Sequence, residues 1–110
     1  MKAAQVAWLA AIIEGEGWIG FNISHYKAKA YSCPCVEVAM NDRDVIQRVA
    51  FLMDVHVLGP YRYGTHTKSH YQAQVYGKEA IRVIRLVLPW LGQRRTKQAQ
   101  HALKWKGTSR

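Results

Sequence analysis

The sequence predicts an α+β domain with the element order αββαββα and one further helix at its C-terminal end. Three observations predict it. The run from Val6 to Ile13 is apolar without interruption and lacks Gly and Pro, as in a helix buried on most of its circumference. Two later stretches, each a pair of segments alternating apolar and polar residues, have the period of strands. Each pair is followed by a segment whose apolar residues recur at helical spacing. With 110 residues, nearly half of them apolar, the chain forms one domain, 1–110, with a modest core.

The first helix ends in an unusual way. Glu14 and Glu16 alternate with Gly15 and Gly17, which puts two carboxylates where the helix dipole is already negative. A positive group is therefore expected nearby. Beyond Gly17, Ile19, Phe21 and Ile23 alternate with Gly20, Asn22 and Ser24, giving a strand with one apolar face. A loop around Lys27, Lys29 and Ala30 leads to a second strand, Cys33 to Met40, with Val36 and Val38 towards the core and Glu37 away from it. The two make a hairpin.

Asn41-Asp42-Arg43-Asp44 carries the capping residues and early acids of a helix start. Val45, Val49 and Leu52, widened by Ile46 and Met53, form its buried stripe, and the helix should stop near Asp54. A second hairpin is expected from Val57 to Tyr63 and from His70 to Tyr76. In its second strand Tyr71, Ala73 and Val75 alternate with His70, Gln72 and Gln74, so one face packs and the other hydrogen-bonds. Gly77 introduces a third helix with the stripe Ala80, Ile81, Ile84 and Leu88, ended by Pro89. A mostly polar, basic helix follows from about Arg94 to Trp105.

The net charge of +9 points towards a polyanionic partner, and its distribution strengthens that: from Lys78 onward there are nine Lys or Arg and one acid, Glu79. No apolar run reaches the ~20 residues of a membrane span, so no membrane association is expected. The short apolar segment after Met1-Lys2 lacks a signal-peptide cleavage site, and an intracellular protein is expected, in cytoplasm, nucleoid or an organelle. Cys33 and Cys35, separated only by Pro34, are too close to staple the fold. They are expected as reduced thiols on a strand; a metal site would need further ligands, with His25 the nearby candidate.

Leu9-Ala10-Ala11-Ile12-Ile13-Glu14-Gly15-Glu16-Gly17 resembles the LAGLIDADG motif of homing endonucleases. Further segments extend the resemblance over almost the whole chain. Val38-Ala39-Met40-Asn41-Asp42 is similar to the end of the family's second strand and the start of its second helix. Leu58-Gly59-Pro60-Tyr61 is similar to the entry to its third strand. Leu88-Pro89-Trp90-Leu91, followed by Arg94, Arg95, Lys97, Gln98 and Ala99, is similar to its proline-aromatic-leucine segment and the basic helix behind it. Each motif is weak alone; their order is specific.

The resemblance implies the LAGLIDADG homing-endonuclease fold, an antiparallel saddle-shaped sheet backed by helices. It also implies an activity, metal-dependent double-strand cleavage of DNA at a long pseudo-palindromic target, of the kind that serves intron mobility. Because the motif occurs once, it implies a homodimer with two motif helices packed on the symmetry axis, through Trp8, Ala10, Ala11, Ile12 and Gly15. Glu16 aligns with the acid that ligates metal, and the Gly15 carbonyl is a further oxygen donor for Mg²⁺, with Mn²⁺ or Ca²⁺ able to take the same sites. Glu14 aligns with an acid that more often supports the helix end. Arg94 or Arg95 matches a basic residue that assists catalysis, with Lys97 the third choice. Where many members have a water-organising Gln at the end of the second strand, this chain has Met40.

Within that fold, the polar strand faces would read bases in the major groove. The candidates are Asn22, Ser24, Tyr26 and Glu37 from the first hairpin, and Arg62, His70, Gln72 and Gln74 from the second. Arg62 suits guanine and the glutamines suit adenine. His66, Lys68 and Lys97 are placed to meet DNA backbone phosphates. The alternative function is a DNA-binding regulator or RNA-splicing cofactor that does not cleave.

Overall fold

The computed structural model describes residues 1–62, 64 and 68–107. Its elements are α1 (Ala3–Glu16), β1 (Gly17–Tyr26), β2 (Lys29–Met40), α2 (Arg43–Met53), β3 (Leu58–Tyr61), β4 (His70–Tyr76), α3 (Gly77–Val87) and α4 (Gln93–Ala102), with a 3₁₀ turn, Leu88–Trp90, ahead of α4. This is the predicted αββαββα order with its added helix. The four strands form one antiparallel sheet in the order β1-β2-β4-β3, so the two hairpins meet along β2 and β4.

The register explains why only one face is covered. Ile19 opposes Val36, which opposes Val75, and Val38 opposes Ala73, so these side chains share a face. All five are buried, together with Leu9 and Ile13 of α1, Ile46, Val49 and Met53 of α2, and Val83, Ile84 and Val87 of α3. The interleaved residues form the opposite face, and they are mostly polar. Both buried and polar positions follow the period of two read from the sequence.

Three boundaries differ from expectation. Lys27 and Ala28 both take positive φ, 49° and 61°, so the first hairpin closes in a two-residue turn and β2 begins at Lys29 rather than Cys33. No Gly or Asn marks this turn, so sequence chemistry did not announce it. Ile23, expected on the packing face, is 63% exposed, because the outer end of the first hairpin extends past the residues that bury Ile19. The third strand ends at Tyr61, with Arg62 already outside it and Tyr63, its expected end, outside the described residues, and α4 ends at Ala102, ahead of Trp105. Among the described residues no helix is long and apolar enough to cross a membrane.

Candidate functional site

α1 runs into β1 without a loop: Glu16 is its last residue and Gly17 the first of the strand. A Cβ at Gly17 would lie 2.8 Å from the backbone of Ile13, so the reversal from helix to strand needs glycine there. Glu14 turns inward, where its Oε1 accepts a hydrogen bond from the Gly92 N–H at 2.6 Å. Gly92 is the N-cap of α4, so the carboxylate sits at the positive end of that helix dipole. A side chain at position 92 would crowd the carboxylate, with a Cβ 3.2 Å from Oε1.

The positive group required by the end of α1 is Arg95. It is 6% exposed, and its Nε donates to the Glu14 carbonyl at 3.3 Å while Nη1 donates to Gln98 Oε1 at 3.0 Å. The guanidinium thus caps a carbonyl of the last turn of α1, offsetting the negative dipole end. Arg94, the alternative, is exposed. Glu16 is exposed, and no ion pair reaches it among the described residues. Around Gly15 lies open space, with no atom within 4 Å of a Cβ built there.

The remaining α1 candidates divide. Ala11 and Gly15 are exposed, and Trp8 and Ile12 are partly buried, Trp8 lying under the Arg48 guanidinium at 4.0 Å. Ala10 does not belong with them. It is 1% exposed and packed into the chain's own core, so it has no surface to present to a second helix.

The sheet brings most of the predicted base-reading residues onto one face. Asn22, Ser24 and Tyr26 on β1 share the parity of Trp18, which opposes Glu37 on β2, which opposes Gln74 on β4; Gln72 and His70 follow. Their side chains are linked. Gln74 Nε2 donates to Glu37 Oε1 at 2.9 Å and to Gln72 Oε1 at 2.8 Å, and the Tyr76 hydroxyl donates to Gln74 Oε1. Gln72 Nε2 lies 3.3 Å from His70 Nε2, whose ring packs near Tyr61. Arg62, Lys68, Arg94 and Lys97 are exposed off the sheet, and His66 lies outside the described residues.

Two aromatic residues on this face were missed. Trp18 and Tyr76 are 44% and 43% exposed, and the same alternation that selected Asn22 and Gln74 extends to them. Cys35 lies between them on the polar face but is buried. Burial, then Glu37, then Cys33 pushes its thiol up to about 12, while burial followed by Cys35 raises the Tyr76 phenol. Both cysteines are free thiols. Met40, opposite Tyr71, falls on the helix-covered side and packs against the core; its neighbour Ala39 is exposed on the polar face.

The donor set at the end of α1 is all oxygen: the Glu16 carboxylate, without an ion-pair partner among the described residues, and the backbone carbonyls of a helix terminus. That suits a hard divalent cation. No group of three or more His, Cys, Asp or Glu is assembled among the described residues, and Mg²⁺ is commonly held by one or two carboxylates completed by waters and substrate phosphates. A groove of about 800 Å³ between α3 and Trp105–Gly107 is lined by none of the candidate residues.

No protein-family model matches the chain. No curated protein matches it either. Solved structures do, with 35 matching chains. The homing endonuclease I-CvuI, in complex with DNA in the presence of magnesium, aligns at TM-score 0.70 and 19% identity over 92% of this chain. The group I intron-encoded homing endonuclease I-CeuI, complexed with DNA, aligns at 0.70 and 12% over 94%. The I-LtrWI LAGLIDADG homing endonuclease, bound to target DNA, aligns at 0.64 and 15% over 94%. This chain spans 64%, 54% and 38% of their respective lengths. With the motif helix feeding the first strand of a β1-β2-β4-β3 antiparallel sheet, the chain has the fold of the LAGLIDADG homing endonucleases.

Proposed function

We propose that the chain is a site-specific double-strand DNA endonuclease. It acts as a homodimer on a long pseudo-palindromic target, with divalent cations held at the paired ends of two α1 helices. One observation carries this: Glu16, exposed and without an ion-pair partner among the described residues at the negative end of an apolar helix, continues directly into the strand whose polar face is otherwise suited to base edges. One neighbour of this fold, the homing endonuclease I-CvuI, has been crystallised on DNA both with magnesium, the DNA uncleaved, and with calcium.

Each residue then has a physical task. The polar face and the basic helix hold DNA, whose phosphates are drawn by a net charge of +9. Ala11 and Gly15 let a second α1 approach closely, flanked by Trp8 and Ile12, so the two Glu16 carboxylates come together beneath the duplex. A double-strand cut needs attack on two phosphodiesters, which is why two helix ends are required. Glu16 and the Gly15 carbonyl would hold Mg²⁺, or Mn²⁺ or Ca²⁺ in its place. When bound, the cation supplies activation of the attacking water and neutralisation of charge growing on the phosphate. Arg95 fixes the last turn of α1 and keeps a positive charge behind it. Glu14 ties that turn to α4.

The test is incubation with a randomised-target plasmid library and Mg²⁺, followed by sequencing of linear products. Cleavage at a defined long site is expected. Glu16→Gln should lower it at least about a hundredfold while DNA binding remains. Binding with no cleavage in Mg²⁺ or Mn²⁺ would favour the non-cleaving regulator or splicing cofactor, a reading supported by Met40 packing into the core where the resemblance implies a polar residue.

A further inference from the structure

Glu37 is the one acid within the four strands, and it stands in the middle of a surface proposed to meet a polyanion. Among the described residues no ion pair neutralises it. Its Oε1 is held by Gln74, and no hydrogen bond from the described residues engages Oε2. A carboxylate so placed repels phosphates and must find donors elsewhere.

Its neighbour has the opposite property. Both N–H groups of the Gln74 amide are engaged, one by Glu37 and one by Gln72, and its oxygen accepts from Tyr76. Bidentate recognition of adenine needs a free amide N–H for N7 alongside the oxygen for N6–H. Gln74 has no such donor. It is oriented to hold Glu37, and the expectation that it reads adenine fails on that count.

We propose that Glu37 is the base-reading residue of the Trp18–Glu37–Gln74 row, accepting from a cytosine amino group, and that Gln74 is its positioning residue. The inference rests on the DNA-endonuclease reading given above. The major-groove edges decide the base. Guanine shows N7 and O6, and thymine shows O4, all acceptors that repel a carboxylate. Adenine sets its N6 donor beside the N7 acceptor. Cytosine shows the N4 donor with no acceptor beside it.

The register sets where the cytosine lies. Trp18, opposite Glu37, is two residues past Glu16, and two residues of strand rise about 7 Å, or about two base pairs. The preferred cytosine therefore sits within a few base pairs of the attacked phosphates, and the homodimer repeats it in both half-sites. Asn22, two rows further out, reads independently of it.

The experiment selects bound duplexes from a randomised library in EDTA, with the full chain, Glu37→Gln and Gln74→Met, each checked by its melting profile. The expected result is an inner-position cytosine preference of at least about fivefold, lost in Glu37→Gln with outer positions unchanged. Gln74→Met should weaken that preference without replacing it by another base. An unchanged inner profile in Glu37→Gln overturns the assignment while leaving DNA recognition intact. A new base preference in Gln74→Met makes Gln74 the reader and overturns it as well. If the parent chain retains no DNA at low salt, the endonuclease reading fails, and this inference with it.

Discussion

Arg95 and Glu14 join the end of α1 to the start of α4 twice, through a guanidinium on a carbonyl 81 residues away and a carboxylate on a backbone N–H 78 residues away. Arg95 is a buried charge whose hydrogen bonds go to a peptide carbonyl and an amide, so its loss strands a helix-end carbonyl as well as removing a cation. Arg95→Met should lower stability by about 2–3 kcal/mol, read from the urea midpoint. Glu14→Ala should cost about 1–2 kcal/mol by the same measurement, with Arg94→Ala near neutral. The need for a positive group at the end of α1 was legible in Glu14-Gly15-Glu16-Gly17. Which arginine met it was not, because one step along α4 exchanges a buried direction for an exposed one. The Cys35 thiol adds a pH prediction. Its folded value lies above its unfolded one, so the native state holds that proton longer, and the stabilisation is complete below about pH 9 and lost as pH rises towards 12. Cys35→Ala should flatten that alkaline decline, and alkylation of native protein at pH 8 should label Cys33 well before Cys35.

At the scale of elements, period-two alternation carried the most information. It assigned Val36, Val38, Ala73 and Val75 to the core and Asn22, Glu37, Gln72 and Gln74 to the other face, as the strand register has them. It failed where burial depends on what lies above a strand: Ile23 has the right parity, but the hairpin has outrun its cover there. It cannot separate the two sides of an all-apolar helix, so nothing in the pattern distinguishes Ala10, which faces the core, from Ala11, which faces solvent. The turn at Lys27 and Ala28 was silent for a different reason, since neither residue favours positive φ. β1, from Gly17 to Tyr26, rises about 30 Å and so tracks about nine base pairs. Footprinting should accordingly protect about nine base pairs on each side of the cleavage centre, with Ser24→Ala and Tyr26→Ala affecting only the outermost.

For the molecule as a whole, the element order and the excess of basic residues are both legible in the amino-acid sequence, one from periodicity and the other from composition. The closing of two hairpins into one sheet along β2 and β4 was implied only through the family resemblance, because non-local strand pairing leaves no local mark. Charge gives the bulk prediction: if six or more cations meet phosphates, binding should weaken at least about a thousandfold between 50 and 200 mM salt. The central claim is that two α1 ends each attack one strand. Differently tagged chains, one unmodified and one Glu16→Gln, can be co-expressed, the mixed dimer purified, and its product on a supercoiled plasmid bearing the target resolved by gel. The account predicts nicked circles with little linear DNA. Linear plasmid formed at the rate of the unmodified dimer would contradict it.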